Sequence, residues 1–239
     1  MRAEDQAYAF SMALHTGEDP KDIIANRYKA AALLESDMDY SFVLADQIHG
    51  DHIAVIRDKK SRGWSQRESA VAQCDALVTD QKGVILGVLS ADCVPILLYD
   101  PTHGVVAAIH AGWRGSAAKI TAKCVATIQK EFDTDPSDIV AGIAPSIGRC
   151  CYEVGGEVAA HFAQYEGVVE SQGEKYMLDL PEVNRLQLVT AGVPSSHIEL
   201  SGICTACHDE DFFSYRKTGG CSGRFLTMIG LKEVEKPLC

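Results

Sequence analysis

The chain has 239 residues, 46% of them hydrophobic, and a formal net charge of −11. That length supports one large domain or two small ones, and the acidic balance argues against a nucleic-acid or anionic-membrane partner, both of which need dense Lys/Arg patches. No apolar run approaches the roughly 20 residues that span a bilayer, and Met1–Gln6 lacks the apolar core of a signal peptide, so the nine cysteines are expected to be reduced thiols or metal ligands in a cytoplasmic protein.

A first helix is expected from Asp19-Pro20, where Asp suits the cap and Pro the first turn. Ile23, Ile24, Tyr28, Ala31 and Leu34 then recur at helical spacing up to about Glu35. Short strand-like runs follow at Tyr40–Ala45, His52–Ile56, Ala76–Thr79 and Val84–Leu89, then at Val94–Tyr99 and Val105–Ile109. A second helix is expected from Ser116 to Phe132, with Ile120, Cys124, Ile128 and Phe132 on one face. Ile139–Ala144 reads as a buried strand and Glu153–Tyr165 as another helix. Pro181–Ala191 is a helix opened by Pro and closed by Gly192, and Phe225–Leu231 is the last strand. Several strand pairs are hairpins rather than βαβ units, so the expected class is α/β of the α+β type: mixed β-sheets flanked by helices.

The segment from Ala91 to Gly115 carries the most chemistry. Cys93 and His110 flank two apolar runs joined by Asp100-Pro101-Thr102-His103-Gly104, which has the residues of a type I turn or a short extension of it. If the turn closes around Pro101-Thr102, Cys93 lies directly opposite His110. If Pro101–Gly104 is a four-residue loop, the two sit one diagonal apart on the same face; only an odd-length loop separates them. A thiol and an imidazole converging at one end of a hairpin suit a metal site or a Cys–His catalytic pair. A buried thiol beside a hydrogen-bonded core histidine would read the same way. His49, after a strand-like run and before Gly50, is a third candidate ligand. His49, Cys93 and His110 together would leave one open coordination position, as catalytic zinc sites do. Asp92 is a candidate orienter or proton carrier beside Cys93.

Arg114, Arg216 and Arg224 each lie near a glycine or aromatic turn, where a guanidinium can be aimed at an anion. Trp113 and Tyr215 are candidates for stacking on a planar ligand. Gly142–Gly148 bounds a loop with no nucleotide-phosphate motif. Cys204-Thr205-Ala206-Cys207 is half of a possible zinc site or a redox pair, but the adjacent pair Cys150-Cys151 is not spaced like a second half, so packing is the favoured reading and whether these four cysteines do more stays open.

Taken together, Gln47–Gly50, Ala91–Pro95, His110–Gly115, Gly148–Gly155, Cys204-Thr205 and Phe212–Arg216 resemble the YfiH/YlmD-type proteins, called both polyphenol oxidases (laccases) and purine nucleoside phosphorylases. Thr16–Pro20 and Asn26-Arg27 also fit that family's first helix, and the resemblance runs from about Leu14 to Leu231. It implies a single catalytic domain, a layered sandwich of mixed sheets that also resembles the catalytic fold of deamidating toxins, present as a monomer or homodimer. It implies zinc on His49, Cys93 and His110, with copper binding possible in vitro. It implies phosphorolysis of adenosine, inosine, guanosine and methylthioadenosine, with adenosine deamination as a second activity; for that reaction Arg114, Arg216 and Arg224, beside Trp113, are the candidates for holding the phosphate. The runner-up readings are a cysteine hydrolase or amidase using Cys93 and His110, and a copper-dependent polyphenol oxidase.

Overall fold

The computed structural model describes residues 10–34 and 40–232. Helix α1 (Pro20–Ala31) opens as the sequence predicts: the Asp19 side chain accepts from the Lys21 N–H and Pro20 fills the first turn. A 3₁₀ turn, Ala32–Leu34, follows, and the predicted end at Glu35 lies outside the described residues, as does Met1–Gln6. Strands β1 (Ser41–Leu44), β2 (Ile53–Ile56), β3 (Ala76–Thr79), β4 (Val84–Ser90), β5 (Val94–Asp100) and β6 (Val105–Ala111) stand where the apolar runs put them.

The second helix differs from its prediction. Two pieces, α2 (Trp113–Ala117) and α3 (Ile120–Phe132), meet at Lys119, whose φ of 62° breaks the helical ladder. After β7 (Val140–Ile143), the helix expected over Glu153–Tyr165 is instead a two-residue strand β8 (Glu153–Val154), a one-turn helix α4 (Gly156–Ala159) and a 3₁₀ turn, Ala160–Phe162. Val154, Ala159, Phe162 and Val168 are buried in the core all the same, so the segment packs inward without forming a regular helix. A hairpin that the sequence did not announce, β9 (Val169–Gln172) and β10 (Lys175–Leu178), then leads into α5 (Leu180–Thr190), a further unpredicted strand β11 (Ile198–Leu200), and β12 (Phe225–Gly230).

The main sheet has the order β11-β7-β5-β6-β3-β2, with parallel pairs at both edges and antiparallel pairs between. A second sheet runs β1-β4-β12, also mixed, and a small antiparallel one runs β8-β10-β9. Side chains alternate across the main sheet. Ile96, Leu98, Ala107 and Ile109 pack with Ile120, Cys124 and Ile128 of α3 and Val183 and Leu188 of α5. From the opposite face, Leu77, Val106 and Ala108 meet Val84, Leu86 and Val88 of β4. The outer side of the second sheet, with Phe42, Ile85 and Leu89, packs under Ala30 and Ala31 of α1. The result is layered as helices, six-stranded sheet, three-stranded sheet and helix. Truncating any fully buried isoleucine of α3 to alanine costs about 2–5 kcal/mol by this geometry.

Pro95 sits inside the main sheet, which normally excludes proline from its interior. Its carbonyl accepts from the Ala144 N–H on the β7 side, so its missing N–H also points there, where the β7 ladder has already ended at Ile143. The proline thus marks the end of the sheet, where the next residues back, Asp92 and Cys93, leave it.

Candidate metal and catalytic site

The β5–β6 register settles the hairpin. Asp100 pairs with Val105 and Pro95 with His110, so the loop is Pro101–Gly104 and Cys93 and His110 stand one diagonal apart. The Asp100 side chain caps this loop through the Thr102 and His103 N–H groups, at 2.7 and 3.1 Å. His110 points to the face shared with Val106 and Ala108, towards the second sheet. His49 arrives from the loop after β1, with φ at 61°. Its ring packs edge-on to that of His110 with 4.8 Å between centroids. The His49, Cys93 and His110 donor atoms all lie within 4.8 Å of one another.

Two features hold this geometry that the sequence did not disclose. Asp75, fully buried at the start of β3, accepts from the backbone N–H groups of Ile48 (3.2 Å), His49 (3.0 Å) and Gly50 (2.7 Å), and from His110 Nδ1 at 2.8 Å. One carboxylate thus pins the His49 loop and fixes the His110 tautomer, leaving Nε2 for a ligand. Gln47 clamps the same loop to β4 by a reciprocal pair of 2.8 Å bonds with the Leu89 backbone. The glycines are spatial requirements. A Cβ on Gly112 would stand 3.1 Å from both Cys93 Sγ and His49 Cδ2, and one on Gly115 only 2.7 Å from the Gly50 carbonyl.

Burial pushes the Cys93 thiol up, but the His110 and His49 imidazoles against it pull harder and bring it down to about 6. Burial lowers His110, and the Cys93 thiolate together with the Asp75 hydrogen bond overcomes this, raising it to about 9. Asp75 is disfavoured as a charge by burial yet held below the usual carboxylate range by the same bond and the loop N–H groups. The metal-free site is therefore a thiolate–imidazolium pair around neutrality. Metal ligands must be deprotonated, so uptake is expected to release one proton from this pair between about pH 6 and 9, from His110, and two below about pH 6. Metal affinity should fall as the pH drops, more steeply below 6. Competition titrations with a chelator across that range measure the slope; an affinity independent of pH would contradict the pairing.

The chain matches the family described as multi-copper polyphenol oxidoreductase laccase over residues 3–232. The chain belongs to that family. The purine nucleoside phosphorylase YlmD of Geobacillus stearothermophilus is 40% identical over 232 residues, 94% of this chain and 84% of its own length. The adenosine deaminase RL5, from an unknown prokaryotic organism, is 38% identical over 222 residues, 90% and 84% of the two chains. The crystal structure of Bacillus licheniformis YfiH superposes with a TM-score of 0.89 at 36% identity, covering 93% of this chain and 86% of that one.

Within this laccase-family chain, the donor set opens into a cavity of about 590 Å³, inside the range of roughly 300–1,000 Å³ usual for small-molecule sites. Among its lining residues are Arg27, Arg67, Arg114, Arg216 and Arg224. Five arginines against two carboxylates, Asp46 and Asp92, make this a positively charged recess in an acidic protein. The guanidinium groups of Arg114, Arg216 and Arg224 have no carboxylate partner among the described residues. The Arg114 guanidinium lies 4.3 Å over the Trp113 ring, Arg216 donates to the Glu153 carbonyl at 2.8 Å, and Arg224 donates to the Ser222 and Gly223 carbonyls. Trp113, half-buried against the core and near His161, serves as the platform for Arg114. Tyr215 lies under Arg224, 5.6 Å from its centre.

Asp92, with φ at 88°, spends both carboxylate oxygens on the opposite loop. Oδ1 accepts from the Thr205 hydroxyl at 2.7 Å and Oδ2 from the Arg216 N–H at 2.6 Å. The four cysteines whose role the sequence left open come together: Cys150, Cys151, Cys204 and Cys207 bring their sulfurs within 4.8 Å of one another. The adjacent pair converges because a turn closed by Cys151 and Tyr152 N–H groups on the Gly148 carbonyl replaces the extended backbone in which neighbours diverge. No helix among the described residues is long and apolar enough to cross a membrane.

Proposed function

We propose that this chain is a zinc-dependent purine nucleoside phosphorylase acting on adenosine, inosine, guanosine and methylthioadenosine, with adenosine deamination as a second activity of the same site. The observation that carries this reading is that three metal-type donors and an arginine cluster face one cavity. The named activities of the YlmD and RL5 relatives supply the reaction class.

In phosphorolysis a phosphate oxygen bonds to the ribose anomeric carbon, and the bond from that carbon to the purine nitrogen breaks. The electron pair leaves with the base, and a proton reaches that base. Arg114, Arg216 and Arg224 hold the phosphate, as guanidinium forks do for anions. Trp113 aims Arg114 from below, and Asp92 positions Arg216 by its backbone N–H. His49, Cys93 and His110 fit a metal: their donors cluster, Asp75 frees Nε2 of His110, and Gly112 keeps the space between Cys93 and His49 clear. A metal there supplies Lewis acidity towards the purine or a water made acidic enough to act near neutral pH.

Phosphate-dependent base release from adenosine and inosine, measured on protein of known zinc content, tests the reading. The parent is expected to turn over with zinc bound, and Cys93→Ala to lose zinc at this site and activity together. Zinc-loaded parent that releases no base in phosphate would overturn it.

A second reading has one observation in its favour. Cys93, His110 and Asp75 form a nucleophile–base–orienter series of the kind that serves cysteine hydrolases. Amide or ester hydrolysis that persists in chelator would select it. Copper oxidase chemistry has less support: reducing oxygen to water takes several coupled copper ions, and the histidine-bearing metal cluster among the described residues has only His49 and His110.

A further inference from the structure

We propose that Cys150, Cys151, Cys204 and Cys207 form a second metal site, a closed tetrathiolate zinc centre separate from the His49–Cys93–His110 donors. Four thiols have little reason to gather on their own. They are weak donors and weak acceptors, and here Cys150 and Cys207 are exposed, so apolar packing does not drive them together. Their spacing does have a reason in metal geometry. Zinc–sulfur bonds of about 2.3 Å in a tetrahedron set sulfur–sulfur edges of about 3.8 Å. Cys207 Sγ stands 3.6 Å from Cys150 Sγ and 3.4 Å from Cys151 Sγ, and every pair lies within 4.8 Å.

The surrounding backbone is built for thiolates. The Gly148 N–H donates to Cys204 Sγ at 3.2 Å, and a Cβ on Gly148 would meet Cys204 Cβ at 3.2 Å and Cys150 Sγ at 3.5 Å. The Cys204–Cys207 turn is closed by the Cys207 and His208 N–H groups on the Cys204 carbonyl, both at 3.1 Å, which folds its two sulfurs to one side. With four protein sulfurs there is no open position, so the centre is structural rather than catalytic.

Its placement gives it something to hold. The two cysteine turns are joined by a bridge between Ser146 and Cys204, and each is one step from the cavity. Ile147 donates to the Asp92 carbonyl, Thr205 donates to the Asp92 side chain, and Arg216 reaches the Cys151 carbonyl at 3.4 Å. A metal clamp on the four sulfurs fixes the loops that place Asp92 and Arg216, without touching the ligand.

Metal counting decides the matter, independently of whether the chain is a phosphorylase. Protein produced with zinc and purified under reducing conditions is expected to carry two zinc ions per chain. Cys93→Ala, which leaves the cluster intact, should retain one, and X-ray absorption on that variant should show four sulfur neighbours at about 2.3 Å. Cys207→Ser should lose this zinc while keeping the one at Cys93, with a lower thermal midpoint. If Cys207→Ser does not fold, the Cys93→Ala spectrum still decides. Zinc-free Cys93→Ala, a zinc in it bound by nitrogen or oxygen instead of four sulfurs, or disulfides among the four cysteines in reductant would each overturn the proposal.

Discussion

Replacing Asp75 by asparagine is expected first to weaken metal binding by the His49, Cys93 and His110 donors and second to lower stability. The carboxylate accepts from four donors, three of them successive N–H groups of the His49 loop and the fourth His110 Nδ1. An amide is nearly the same size but turns one acceptor into a donor, so an N–H of the loop or the ring is set against an N–H of the side chain. His110 loses the anion that fixes its tautomer, and the His49 loop loses an anchor. Changes in such outer partners lower metal affinity by about 10–100-fold. Leaving a buried donor without a partner costs about 1–3 kcal/mol. Zinc competition with a chelating dye and a thermal unfolding curve read the two effects separately. Parent-like affinity in a folded Asp75→Asn protein would show that the donors are held by something else.

Arg27→Met is expected to be the most destabilising single change in the cavity wall, by about 3–5 kcal/mol. Arg27 is 1% exposed. It donates to the Met12 carbonyl at 2.7 Å and to those of Gly63 and Trp64 at 2.6 and 2.5 Å, with its guanidinium 5.6 Å from the centre of the Trp64 ring. Burial lowers it only to about 10, so it stays charged at neutral pH. Methionine fills much of the volume but strands three buried carbonyls and unties α1 from the segments before and after it. Arg27→Lys should recover only part of the loss, because an ammonium lacks the planar fork that spans these acceptors. Denaturant titration gives the difference; an Arg27→Met midpoint equal to the parent's would mean that water takes over all three carbonyls.

What could be read beforehand was set by distance along the chain. Cys93 and His110 are joined by one hairpin, and strand alternation put them on one face for either even loop length. His49 was named as a third candidate ligand from its place at a strand end, and the family resemblance joined it to the hairpin, since no local rule carries it there. Asp75 was missed because an aspartate at the start of a strand looks like any turn residue; its four donors come from segments that meet only in the folded chain. The cysteine quartet stayed unread for a local reason. Side chains of adjacent residues diverge in extended backbone, but Cys150-Cys151 sits in a turn. The failed helix at Glu153–Tyr165 has the converse cause: Val154, Val158 and Phe162 are spaced like a helix face, yet Gly155-Gly156 weakens the helix and β10 offers Val154 a ladder partner.

The second sheet has an implication for synthesis of the protein. β4, buried at every position, lies between β1 and β12, and β12 is the last strand among the described residues. Until β12 emerges from the ribosome, β4 presents an open, apolar edge of seven residues, the kind of edge that recruits other chains. Arg224, at the mouth of the cavity, immediately precedes that strand. The closing of that edge and the placing of Arg224 in the cavity wall are therefore one event.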